Sequence, residues 1–129
     1  MLNCVDIERM FEYSFEKLEV WKESMKLVKM IYDVTKSFPI SEKYGLTSQL
    51  RRATVSISSN LAEGTSRISN KDKAHFTTLS FSSAMEVLNQ ILIAKELEFL
   101  SDEKYLEMRK KISKITNMLN SLRKSQING

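Results

Sequence analysis

The chain has one cysteine, one proline, one histidine and three glycines in 129 residues. Each scarcity removes a class of protein. Cys4 alone can form no disulfide within the chain and no cysteine-based zinc site. With His75 as the sole imidazole, the paired Glu-x-x-His motifs of a di-metal helical bundle are missing. So few glycines and prolines leave little material for the turns of a many-stranded β fold. No apolar run approaches the ~20 residues that cross a bilayer. The opening, MLNCVDIERMFEYS, carries early acids and no apolar centre of a secretory signal. There is no GxxxxGKS/T or GxGxxG phosphate loop, no HExxH and no GxSxG. The expectation is a cytoplasmic protein that does not enter the membrane, needs no cofactor or metal and is not an enzyme.

What is present favours helix. Hydrophobic residues make up 42% and charged residues 28%, with seven methionines. One domain of this length buries a single core without covalent help. Residues 15–124 read as four helices, with an arm over 1–14 and a frayed end over 125–129. The first helix spans about 18–37. Leu18, Trp21, Met25, Val28, Tyr32 and Thr35 form one stripe, and Val20, Leu27, Ile31 and Val34 a second beside it. Pro39 stops it, because proline disfavours the α region for Phe38. The second helix spans about 44–63, on Leu46, Leu50, Ala53, Ile57 and Leu61, with Gly64 as its closing residue. Ser69 caps the third, which runs to about residue 98. That helix is apolar on two sides: Phe76, Leu79, Ser83, Glu86, Gln90, Ile93 and Leu97 on one, Phe81, Met85, Leu88, Leu92 and Phe99 on the other. Ser101 caps the fourth, built on Tyr105, Met108, Ile112, Ile115, Leu119 and Leu122. Short connections between four helices imply an all-α, antiparallel up-down-up-down bundle. Residues 1–14 keep no clean period and read as either a short helix or an arm.

The net charge of +4 is uneven, at −1 over 1–40, +1 over 41–100 and +4 over 101–129. The best electrostatic surface for RNA or DNA is therefore on the last helix, at Lys104, Arg109, Lys110, Lys111 and Lys114, with Arg123 and Lys124 further on. Arg51 and Arg52 sit inside the second helix and need partners. Glu86 lies in a mostly apolar stripe at a matching height, so the spacing predicts a partly buried ion pair between Glu86 and Arg52, or Arg51 if the helix phase differs. Loss of such a buried partner would cost about 3 kcal/mol. The other reading puts Arg51 on the surface against phosphate. Glu63 and Arg67 flank Gly64 and read as a local pair. The serines and threonines of the second helix read as small spacers, and Trp21 and Phe76 as core.

Three segments carry a resemblance: FEKLEVWKESMKLVKMIYDVTKSFP (15–39), YGLTSQLRRATVSISSNLAEG (44–64) and, more weakly, SFSSAMEVLNQILIAKELEFLSDEKY (80–105). The LEVW start, the QLRRA-x-x-SI centre and the NLAEG ending occur in this order and spacing. Over roughly residues 15–122 the chain resembles the four-helix-bundle family named for proteins encoded in intervening sequences of bacterial 23S rRNA genes. The resemblance implies a bundle that assembles into a ring, commonly a homopentamer. It implies association with nucleic acid, or, as in the related accessory variability proteins of diversity-generating retroelements, a role beside a reverse transcriptase. Two functions follow as expectations. One is a non-enzymatic homo-oligomer that binds RNA or DNA through basic surface. The other is a protein-interaction scaffold or accessory subunit.

Overall fold

Helix starts fall where a short polar side chain can take up a free backbone N–H. Ser69 Oγ accepts from the Asp72 amide at 3.1 Å, and Ser101 Oγ from the Lys104 amide at 3.2 Å. The computed structural model describes residue 1 and residues 3–129; Leu2, within the expected arm, lies outside the described residues. The helices are α1 (Cys4–Glu8), α2 (Glu19–Thr35), α3 (Leu46–Thr65), α4 (Asn70–Glu96) and α5 (Asp102–Asn128), and no strand occurs among the described residues. Four of them are long. Short 3-10 turns occupy Ser14–Lys17 and Ile40–Glu42.

Helix stops shift slightly from the sequence reading, each for a local reason. Beyond Thr35 the amides of Lys36, Ser37 and Phe38 bond three residues back, which tightens the turn before Pro39. Glu98 at φ 60° ends α4, and the Phe99 amide reaches back to the Ala94 carbonyl at 2.9 Å. At the other extreme α5 continues to Asn128, past the expected end near 124. Gln126 accepts a hydrogen bond from the Thr77 hydroxyl at 2.7 Å, which ties the last turn to α4.

The core takes the apolar face of each long helix. On α3, Leu46, Leu50, Ala53, Ile57 and Leu61 are all buried, as their spacing requires. On α5 the buried set is Tyr105, Met108, Ile112, Ile115 and Leu119. On α2 it is the stripe of Val20, Leu27 and Ile31 that is buried, while Leu18, Trp21 and Val34 pack at its edge. The two apolar stripes of α4 turn out to be the margins of its contact face. The centre consists of Ala74, Thr77, Ser80, Ala84, Val87, Ile91 and Ala94, all buried and mostly small. Phe81, Leu88 and Leu92 flank it, and Leu79, Ile93 and Leu97 are exposed.

That small-residue centre lets α3 and α4 come close. Ser83 and Ser56 share a hydrogen bond at 2.9 Å, and the Ser80 hydroxyl donates to the Ile57 carbonyl at 2.9 Å. Gly64 continues the series. It is not the closing residue the sequence reading made it, since α3 runs through it to Thr65 and no glycine has positive φ. A Cβ there would stand 2.9 Å from the Phe76 Cβ of α4. The glycine is required by a crossing helix, not by a turn. Arg67 is likewise not paired with Glu63; its guanidinium lies 4.6 Å over the Phe76 ring.

Upstream of the bundle, α1 opens on a capping box between Asn3 and Asp6 and packs against no other helix among the described residues. An aromatic chain joins the arm to α2: Phe11 meets Tyr13 at 5.1 Å, Tyr13 stacks on Phe15 at 6.5 Å, and Phe15 meets Trp21 at 5.3 Å. No described helix is long and apolar enough to cross a membrane.

Candidate nucleic-acid interface

A carboxylate buried in a helix seam must be paired, because the low-dielectric interior penalises a bare charge. In this protein that carboxylate is Glu23 of α2, only 5% exposed. Lys111 donates to its Oε2 at 3.1 Å, Lys114 donates to its Oε1, and Lys26 lies 3.3 Å from Oε2. The Lys114 hydrogen bond, then that of Lys111, pulls the Glu23 carboxyl from its ordinary 4.5 down to about 2; burial opposes the shift, and Lys26 adds to it. Three ammonium groups from two helices thus surround one carboxylate and leave a local excess of two positive charges.

This arrangement redistributes the five basic residues picked out from the sequence. Lys111 is half-buried and Lys114 largely exposed, and both are oriented by Glu23. Lys104 lies 3.6 Å from Glu107 on the same helix. Arg109 donates to the Tyr105 hydroxyl, with its guanidinium 5.9 Å from that ring. Lys110 is exposed with no ion pair among the described residues. The structure adds Lys26, with Lys22 and Lys29 one turn to either side of it on α2; both are exposed. Reading helices one at a time hides this partnership. Lys26 joins Lys111 and Lys114 only because Glu23 sits opposite them, 88 and 91 positions away.

The expected pair between Glu86 and Arg52 or Arg51 does not form. Glu86 and Arg52 are both exposed and share the lining of one cavity of about 380 Å³ with Gln49, Ala53 and Ser56, but no ion pair joins them. The buried positions of that α4 stripe are Ser83 and Gln90, one turn before and one turn after Glu86 and both rotated from it toward the buried centre of the helix. Arg51 points elsewhere: its Nε donates to Thr35 Oγ1 at 2.9 Å, and its guanidinium lies 4.5 Å over the Tyr32 ring. Exposed carboxylates contribute little. Glu86→Gln is therefore expected to melt within about 2 °C of the unaltered protein by circular dichroism; a loss near the ~3 kcal/mol of a buried pair would restore the original pairing.

His75 is exposed and edge-on to Phe76 at 5.8 Å. No group of three or more metal-binding side chains converges among the described residues.

The family model described as 23S rRNA-intervening sequence protein matches residues 16–121, which takes in α2, α3, α4 and α5 up to its last two turns, and leaves the arm outside. A crystal structure of a protein with unknown function from the S23 ribosomal protein family, from Bacteroides thetaiotaomicron VPI-5482, is similar in fold. Its TM-score is 0.76 at 20% identity, covering 81% of this chain and 98% of that one. Comparison with curated proteins gives no match.

Proposed function

The chain belongs to the 23S rRNA-intervening sequence protein family, and we propose that it is a non-enzymatic, up-down-up-down bundle that assembles with copies of itself and holds a nucleic-acid backbone on its α2–α5 lysine face. The observation that carries this reading is the Glu23 cluster. Lys26, Lys111 and Lys114 are held at fixed spacing by one buried carboxylate, so part of the ordering entropy of a phosphate contact is already spent. Lys110, Lys22 and Lys29 are further exposed cations on the same two helices, Lys22 paired with Glu19 at 3.4 Å. The opposite running of chain positions across Ser56–Ser83 and Gly64–Phe76 supports the alternating topology. Leu79, Ile93 and Leu97, each at least 36% exposed along one edge of α4, support contact with further copies. The family resemblance supports a ring of five.

Titration of labelled single-stranded RNA at several salt concentrations tests the reading. Affinity should fall linearly on a log–log salt plot, and Lys26→Ala with Lys110→Ala should lower the slope by about 0.7 per lost contact. No binding at low salt would remove the nucleic-acid reading and leave the scaffold or accessory-subunit reading, favoured by the exposed α4 edge. Light scattering that returns a monomer at micromolar concentration would remove the ring.

A further inference from the structure

We propose that the α2–α3 groove holds a second, separate site, an oxyanion pocket built on Arg51 and suited to a phosphomonoester with a flat or apolar body, of nucleoside monophosphate size. It rests on different residues from the lysine face and stands without it.

Arginine is costly to immobilise beside a core, and a half-buried guanidinium normally faces a carboxylate. Arg51 has none: no ion pair involves Arg51 or Arg52 among the described residues. It is nonetheless fixed at two points. Its Nε donates to the hydroxyl of Thr35, which is buried and in turn donates to the Ile31 carbonyl at 2.7 Å. Its plane rests on Tyr32 at 4.5 Å. The Nε donor is thus spent inward, and the terminal Nη groups keep four N–H donors, the fork that matches two oxygens of a phosphate.

The surroundings suit an anion. A cavity of about 510 Å³ is lined by Tyr32, Arg51, Arg52, Val55, Ser56, Ser59 and Asn60, with no acidic side chain among them. Two cations therefore face a space that contributes no counter-charge. The volume lies in the range of small-ligand sites, roughly 300–1,000 Å³. Tyr32 and Val55 supply an apolar wall beside the charged one, which a bare phosphate would leave unused. Thr35 acts as a positioning residue, since it aims the guanidinium and does not line the cavity.

The test is titration of the full-length protein with adenosine monophosphate, inorganic phosphate and adenosine, followed by NMR on the arginine Nε–H signals and by calorimetry. Saturable binding of the monophosphate, at least tenfold tighter than either fragment, with the Arg51 signal moving most, supports the site. Arg51→Lys keeps the charge and loses the fork, so affinity should fall at least tenfold. Thr35→Val should weaken binding and Thr35→Ser should retain it, a split that a purely structural threonine would not produce. Arg52→Ala, at an exposed position, carries the same test if the Arg51 variant does not fold. Adenosine binding as well as its monophosphate, no saturation by 10 mM, or unchanged affinity in Arg51→Lys would each overturn the proposal.

Discussion

Leucine in place of Gly64 is expected to lower the melting temperature by about 10 °C, the effect of roughly 3 kcal/mol of overpacking in a domain of this size. The Cβ alone would meet the Phe76 Cβ at 2.9 Å, with the Lys73 carbonyl 3.7 Å away. A Cβ is fixed to its backbone and cannot rotate aside, so α3 and α4 must separate. Separation loosens the nearby Ser80–Ile57 and Ser56–Ser83 contacts. Alanine at 64 gains about 1 kcal/mol of helix propensity, yet the clash still outweighs it, for a net loss of about 1 kcal/mol. Asparagine separates the two roles a glycine here can play. It is tolerated at a left-handed helix end but not against a crossing helix, so Gly64→Asn should melt at least as low as Gly64→Ala. Thermal denaturation of the three variants decides, and an asparagine variant that melts with the unaltered protein would return Gly64 to a capping role.

Glu23→Gln is expected to cost about 2 kcal/mol, because three charge-assisted contacts weaken together while a polar amide stays buried. The figure stays below that of a fully enclosed pair. Lys114 and Lys26 have largely exposed side chains and can return to water, whereas Lys111 is held with 22% of its side chain exposed. The pH dependence gives an independent reading. Folded Glu23 titrates at about 2 against an ordinary 4.5, so between these values the unfolded chain binds more protons than the folded one. Stability from Glu23 is then complete above about pH 5 and is lost as pH falls toward 2. Urea midpoints from pH 7 to pH 3 should drop more steeply for the unaltered protein than for Glu23→Gln. Parallel curves would show that the carboxylate contributes no such linkage.

Both predictions concern positions whose role the sequence misread or passed over, and the causes differ. Gly64 followed the last core leucine of its helix and preceded polar residues, the usual surroundings of a helix end. What overrides that pattern is Phe76 on another element. Glu23 lies on the flank of the Val20, Leu27 and Ile31 stripe that faces away from Leu18 and Trp21, where a helix usually turns its charged residues to water. Its burial depends on lysines from α5 that compensate it, and no pattern within α2 signals them. Glu86 fails in the opposite way. It lay in an apolar stripe, but that stripe is the margin of α4 and not its centre, so the carboxylate reaches water and needs no arginine.

The sequence alone determined the four long helices and the buried stripes of α3 and α5 through apolar spacing, the starts of α4 and α5 through Ser69 and Ser101, and the stop of α2 through Pro39, because each depends on contacts within a few residues or on one helix face. The rotation of each helix about its axis was left to the tertiary structure. That rotation chose which α2 stripe became core, turned Arg51 to Thr35 and away from Glu86, and gathered lysines of α2 and α5 around one acid. Such choices come from the close approach of small residues and the neutralisation of buried charge, both of which involve partners far apart in the chain.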